Sequence, residues 1–313
     1  VNIDVNVTEQ QTGEFQVGLS VGSLSGATFI TSLNEKNIGG AGRSLNLAVN
    51  TSESNMLYKL HIIEPHVFNR KINLIYGVDF SKNDYSTSSY YKLNKFNSDF
   101  GFSYFLAKDL RHKISLGYTL KDYEITNRSL ASSAIIAADG NNAEINLKNS
   151  FTYNKLNSFL RPTSGNFTNF ENIFSPITNS DDGYIKSILT YKKYLNFNKN
   201  RNILSVQSKL ANITSFQNTD ILTDDKFSLG GRWLRGFDIY GAGPRNSSKS
   251  YIGGNNLFVT KIDLKRSINH DSDNPIDLTL FTDFGTVFGN KTDPTDSEES
   301  FRSSYGFAIN FYS

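Results

Sequence analysis

The chain has 313 residues, no cysteine, and 32 Lys and Arg against 30 Asp and Glu, a formal charge of +2. This balance excludes the basic footprint of a nucleic-acid binder, and the absence of thiols excludes disulfides and thiolate metal sites. Aromatics reach 13% while mean hydropathy is only −0.39, and no apolar run approaches the roughly eighteen residues a membrane-spanning helix needs.

The opening VNIDVNVTEQ is not a signal peptide and reads as an internal or mature start. Val1, Ile3, Val5 and Val7 alternate with Asn and Asp until Thr12-Gly13 breaks the rhythm. Residues 1–13 are therefore expected to be the last strand of a preceding soluble domain, with an irregular first strand of the main domain as the alternative. The first strand proper is expected over Phe15, Gln16, Val17, Gly18, Leu19, Ser20, Val21 and Gly22.

A two-residue rhythm then runs through the chain. Phe96, Phe100, Phe102, Tyr104 and Leu106 share one parity, with Asn97, Asp99, Gly101 and Ser103 on the other. Ile114, Leu116, Tyr118 and Leu120 alternate with Lys113, Ser115, Gly117, Thr119 and Lys121. Ala143, Ile145, Leu147, Phe151 and Tyr153 alternate with Glu144, Asn146, Lys148, Ser150 and Thr152. The pattern recurs over 45–49, 72–80, 204–210, 278–288 and 305–311. Period two places the apolar set on one face of a strand, so the chain is expected to be all-β.

Two all-β architectures compete. In a soluble sandwich or solenoid the apolar parity meets a shared core; in an outer-membrane barrel it meets lipid and the polar parity lines a lumen. Strands of about nine to eleven residues suit a tilted membrane crossing. Short connections (37–42, 107–112, 196–202) alternate with long ones (81–93, 126–142, 215–256), as barrel turns and loops do. About fourteen strands, ending over 303–312, favour the transmembrane antiparallel barrel.

The stretch FSLGGRWLRGFDIYGAGPR (227–245) lies in the longest connection. A segment of this length without strand rhythm is expected to be functional. Gly230, Gly231, Gly236, Gly241 and Gly243 permit tight turns, and Arg235 can fork onto carboxylates. The bland alternative is a glycine-rich surface loop carrying a chance arginine. Trp233 is expected to pack that loop.

The titratable residues show no catalytic arrangement in the sequence. His61, His66, His112 and His270 read as isolated, and no metalloprotease, phosphate-loop or nucleophile-elbow motif occurs. Asp99 and Glu144 read as solvated wall groups and the acidic run Asp293–Glu299 as a solvated outer loop, so no enzyme, cofactor or metal is expected.

Several segments taken together resemble the BamA family of outer-membrane barrel-assembly factors. They are VTEQQTGEFQVGLSVGSLSG (7–26), EKNIGGAGRSL (35–45), YNKLNSFLRPTSGNF (153–167), FSLGGRWLRGF (227–237), GPR (243–245), GGNN (253–256) and FTDFGTVFG (281–289). Leu234-Arg235-Gly236-Phe237 matches the superfamily signature, and the 153–167 segment points to assembly factors more than to their secretion relatives. The resemblance implies a barrel of about sixteen strands preceded by POTRA domains, with about fourteen strands present here. In this reading 1–13 is a POTRA tail and 14–313 a C-terminally truncated barrel, because SSYGFAINFYS (303–313) matches the family's fourteenth strand. It further implies that loop 215–256 folds into the lumen and that Arg235 contacts Asp263 and Asp283. On their strands both aspartates sit opposite the apolar parity, which directs them to the lumen if that parity faces lipid. The first strand, Phe15–Gly22, would form a lateral gate that pairs with client strands. Implied partners are nascent outer-membrane barrel proteins, accessory lipoproteins through the POTRA domains, and lipid and lipopolysaccharide; no nucleic acid is expected. The alternative function is a protein-secretion pore of the same superfamily, and a passive porin would lack the Leu-Arg-Gly-Phe loop.

Overall fold

The computed structural model describes residues 11–22, 26–178, 183–197, 201–216, 221–247, 249–269, 275–289 and 300–311. Most of the expected soluble-domain strand at 1–13, the whole acidic run at 293–299 and His270 lie outside the described residues.

Among the described residues one fourteen-stranded sheet contains all the strands, each hydrogen-bonded to its neighbours in chain order. They are β1 (Gly13–Gly22), β2 (Gly26–Ile38), β3 (Arg43–Ser52), β4 (Asn55–Glu64), β5 (Ile72–Asp84), β6 (Tyr91–Ala107) and β7 (Leu110–Ile125). Then follow β8 (Gly140–Asn154), β9 (Gly165–Thr178), β10 (Tyr184–Phe197), β11 (Asn202–Ser215), β12 (Asn256–Ser267), β13 (Ile276–Phe288) and β14 (Arg302–Phe311). The pairings are antiparallel, as consecutive strands joined by hairpin connections must be. β1 and β14 stand at the two edges of the sheet.

Sidedness follows the alternation. On β7, Leu116 and Tyr118 are exposed, whereas Ser115, Thr119, Lys121 and Tyr123 are buried. On β13, Leu278, Leu280 and Phe288 are exposed while Asp277, Thr279, Asp283 and Val287 are buried. A soluble sheet would hide the first set; here the apolar face is the convex, outward one and the polar side chains point into the concavity. This is the inversion a bilayer requires of a barrel wall.

Several strands outrun the apolar pattern. β6 has 17 residues and β7 has 16, leaving only Lys108 and Asp109 between them. The expected loop over 81–93 contracts to residues 85–90, because polar residues continue the ladder, with Ser81 opposite Lys95 and Asp84 opposite Lys92. Backbone pairing needs no apolar face, so the ladder extends past the membrane band where the rhythm fades. A short helix, α1 (Ser133–Ala137), lies within the β7–β8 loop, where no element was expected. Ser132 Oγ accepts from the Ile135 N–H at 3.3 Å, capping this turn.

Close strand contact depends on Gly101. A Cβ there would lie 2.2 Å from the Ile114 carbonyl oxygen and 2.4 Å from Ser115 Cβ on β7. At Gly18 an added carbon would meet only Ile30 Cβ, at 4.0 Å. Gly101→Val is expected to cost at least about 1–3 kcal/mol through overpacking, and Gly18→Ala to be near neutral. Heat-modifiability on semi-native gels reads both; an unchanged unfolding temperature for Gly101→Val would contradict the packing.

Candidate functional site: a loop clasped against the concave wall

The connection between β11 and β12, residues 216–255, turns back into the concavity. Isolated bridges Phe227–Gly254, Leu229–Ala242 and Arg245–Tyr251 give it an internal framework. Gly230 has φ 144°, and an added Cβ would sit 1.8 Å from the Asp238 carbonyl oxygen, so this turn accepts only glycine. Within the signature, Gly231 N–H donates to the Phe237 carbonyl at 2.9 Å, and Gly236 has φ 87°. These turns bury Leu234 completely and direct the next side chain, Arg235, at the wall.

Leu234 joins Phe227, Leu229 and Ala242 of the loop in one apolar cluster with wall residues from four strands, Tyr184 of β10 among them. The wall also contributes Ala211 and Ile213 of β11, Leu257 and Val259 of β12, and Val287 of β13. The inner parity was expected to be small and charged throughout. At the long-loop end of β11–β13 it is apolar instead, because the loop covers it and excludes water there. Trp233 and Phe237 pack at the margin of this cluster, and Lys209 Nζ stands 5.6 Å from the Trp233 ring centroid.

Arg235 meets two carboxylates deeper in the same wall. Its Nε donates to Asp283 Oδ2 at 2.7 Å and its Nη2 to Asp283 Oδ1 at 2.5 Å, a bidentate fork. Nη2 also donates to Asp263 Oδ1 at 2.6 Å, and the Arg235 backbone N–H donates to Asp283 Oδ2 at 2.9 Å. Ser205 Oγ on β11 donates to the other Asp263 oxygen at 3.2 Å. The guanidinium carbon lies 3.7 Å from the Phe281 ring centroid, adding a cation–π contact. Gly306 of β14 makes room for that ring, since a Cβ there would be 2.7 Å from Phe281 Cζ. The structure thus brings Arg235, Asp263 and Asp283 together. Phe281, which the sequence reading passed over, belongs to the same contact; its signal was an aromatic on the lumen parity of an otherwise polar inner face. Burial works against the Arg235 cation, yet the hydrogen bonds it donates to Asp283 and Asp263 outweigh it and raise its pKa above the ordinary value.

A second anchor lies across the concavity. Lys121 of β7, 1% exposed, reaches Asp225 at 2.6 Å, Asp224 at 3.5 Å and Glu144 of β8 at 3.4 Å. The Tyr123 hydroxyl donates to Asp224, Tyr184 of β10 donates to Glu144 at 3.3 Å, and Lys186 Nζ donates to the Asp225 carbonyl at 2.6 Å. Glu144 is therefore no solvated wall group; it is buried and shares a cation with the loop. Burial alone would raise the Asp224 pKa, but Lys121, Lys95 and the Tyr123 hydroxyl outweigh that and hold it below the usual carboxylate range. Asp224-Asp225 gave no motif in sequence, because its partners lie about a hundred residues away on the facing wall. The outer loops add Ser89 Oγ to the Tyr251 carbonyl at 3.3 Å and Asn246 Nδ2 to the Leu130 carbonyl at 3.4 Å.

At the opposite end, Arg161 in the β8–β9 turn forks onto Asp277 of β13, with Nε to Oδ2 at 3.0 Å and Nη2 to Oδ1 at 2.6 Å. Asp277 is fully buried. The segment over 153–167, singled out for its resemblance, thus reaches across from β8–β9 to β13. Two histidines are also not isolated: His112 stacks on Phe151 with centroids 4.3 Å apart, and His61 Nε2 lies 2.8 Å from Asp79 Oδ1. The segment Phe15–Gly22 forms most of edge strand β1, with Phe15, Val17 and Leu19 exposed and Gln16 beside Ser32 of β2.

A single antiparallel meander with an apolar convex face and a loop clasped in its concavity defines the class of outer-membrane β-barrel proteins. Residues 37–313 match the Omp85 superfamily domain, and the chain belongs to that superfamily. It is 23% identical over 311 residues to the outer membrane protein assembly factor BamA of Neorickettsia risticii, spanning 98% of this chain and 42% of that relative. Among solved structures it is similar to BamA from Haemophilus ducreyi lacking POTRA domains 1–3. That match has a TM-score of 0.82 at 21% identity over 96% of this chain and 64% of the other. CdiB from Acinetobacter baumannii shares the fold with a TM-score of 0.61 at 13% identity, covering 97% of this chain and 54% of that one. The chain therefore spans less than half the length of the curated relative and under two thirds of these solved chains.

Asp263 and Asp283 are 6% and 0% exposed at their side chains, so Arg235→Ala leaves two buried carboxylates facing each other. The expected loss is about 3–5 kcal/mol, with Arg235→Lys recovering only part of it because an ammonium cannot fork. Thermal unfolding of both variants checks this, and wild-type stability in Arg235→Ala would contradict it. The second anchor predicts a pH response. Because the folded Asp224 pKa is depressed, its contribution is present above its unfolded value of 3.8 and is lost as pH falls through the folded value. Lys121→Met removes the chief cation, so protease cleavage within 221–247 is expected to begin at higher pH than in the wild type. Lys92→Met, which breaks only an exposed 4.0 Å pair with Asp84, is expected to leave the profile unchanged.

Proposed function

We propose that this chain is the membrane domain of a factor that assembles and inserts β-barrel proteins into the outer membrane. The observation that carries the reading is the loop clasped in the concavity, together with the place of β1 at one edge of the sheet that the described residues form. A loop fixed on both walls opposes use of the lumen as an open conduit. An edge strand offers unpaired N–H and C=O groups that recruit another strand.

In this mechanism Phe15–Gly22 is the lateral-gate strand, and a client's terminal strand adds to it through main-chain hydrogen bonds. Successive hairpins extend the new sheet until it closes and leaves into the bilayer, with local membrane thinning at the seam lowering the barrier. No nucleotide or covalent step is required, because each added strand satisfies backbone groups that lipid cannot. The Arg235–Asp263–Asp283 clasp acts as a positioning element that fixes the loop to β12 and β13. Residues 1–13 are assigned to the end of a POTRA region through which accessory lipoproteins act, with lipid and lipopolysaccharide as further contacts. The alternative within the superfamily is a pore that exports one dedicated protein; the shared fold with CdiB keeps it in view.

Depletion of the full-length protein in its host, with quantitative proteomics of the outer membrane, separates the two. Concerted loss of many unrelated barrels is expected. Loss of one exported protein with other barrels intact would replace assembly with dedicated secretion.

A further inference from the structure

His61 of β4, Asp79 of β5 and Asp99 of β6 converge on the concave wall, away from the loop clasp. Each offers one ligand atom, and these atoms lie within 4.8 Å of one another. The convergence is a matter of register: His61 stands opposite Gly77, and Gly77 stands opposite Asp99. A Cβ at Gly77 would lie 3.0 Å from His61 Nε2 and 3.1 Å from Asp99 Oδ1, so both atoms border the space left by that glycine. Asp79 reaches the same group from two residues further along β5, with Oδ1 at 2.8 Å from His61 Nε2.

A second observation concerns Asp99. Its side chain is 8% exposed, and Oδ2 is buried without a hydrogen-bond partner among the described residues. A buried carboxylate oxygen left unsatisfied is costly and calls for an ion or a proton. Lys148 interacts with the Asp99 charge, and two further lysines stand near. Lys113 Nζ is 4.0 Å from Asp99 Oδ2, too far for a hydrogen bond, and its side chain is 39% exposed. Lys59 lies opposite Asp79 across the β4–β5 ladder. Neither lysine hydrogen-bonds a carboxylate of the group among the described residues.

We infer that His61, Asp79 and Asp99 form a binding site for a borderline divalent cation, Zn²⁺ by ligand chemistry. One imidazole nitrogen and two carboxylate oxygens supply three protein ligands, leaving a position for water. An imidazole ligand selects against Mg²⁺ and Ca²⁺, which prefer all-oxygen sites. Binding replaces the His61–Asp79 hydrogen bond by two metal bonds and neutralises the buried Asp99 carboxylate together with Asp79. Asp79, alone of the three, also helps to line a cavity of about 360 Å³, together with Ser81, Lys59, Lys95 and Lys148. The ion would staple three neighbouring strands, β4 to β6, independently of the clasp on β12 and β13.

The test is titration of the full-length protein, purified without a polyhistidine tag, with Co²⁺ as a spectroscopic stand-in for Zn²⁺. Expected are visible d–d bands at one equivalent, displaced by Zn²⁺ and untouched by excess Mg²⁺. His61→Ala and Asp99→Asn are each expected to weaken binding by more than the roughly tenfold that an outer-shell change costs. Heat-modifiability of each variant confirms folding. Gly77→Ala, which fills the space between the ligands, gives a third reading and is expected to weaken binding with all three ligands retained. No signal in the wild type, or equal signals in folded His61→Ala and Asp99→Asn, would overturn the site, as would displacement by Mg²⁺ at comparable concentration.

Discussion

Most of the large apolar side chains of this sheet point outward, so the polar and charged groups on the opposite parity have to be satisfied on the concave side. In a soluble sheet water performs that task from an open face. Here the concave face is narrow and partly filled, and much of the solvation comes from the protein itself. Loop 216–255 is the main supplier: it brings an arginine to two wall carboxylates and two carboxylates to a wall lysine. The charges are reciprocal, cation on loop to anions on wall, then anions on loop to cation on wall. Removal of any one partner leaves the opposite charge buried, which makes the arrangement more demanding than a set of surface ion pairs.

The two anchors also set what the loop cannot do. One fixes it to β12 and β13 and the other to β7 and β8, so it bridges two parts of the wall. Between them the apolar cluster around Leu234 excludes water and strengthens the Arg235 fork through a lower local dielectric. Arg161 and Asp277 join the β8–β9 turn to β13 by the same forked geometry at the other end. The cross-concavity ties among the described residues are thus concentrated in β7–β13.

Much of the scaffold was legible in the sequence because strand alternation is local: it depends on residues two apart along one strand. Leu116, Tyr118 and Lys121 declared their sides of β7 without knowledge of any neighbour, and the parity of Asp263 and Asp283 was readable in the same way. Ladder ends were not, since Ser81–Asp84 pair through backbone that carries no side-chain signature. Nor was the partnering of Asp224, Asp225 and Glu144 with Lys121, which depends on a loop crossing the concavity.

The sequence by itself determined the all-β class, the sidedness of the strands and the glycine pattern that lets the loop turn sharply at Gly230. These follow from period-two alternation and from backbone conformations that only glycine adopts. The tertiary structure alone decided which charges meet: Arg235 with Asp283 and Asp263, Lys121 with Asp225, Arg161 with Asp277, and His61 with Asp79. Such meetings depend on strand register and on the path of a loop through space, and neither is encoded within reach of any short window of the chain.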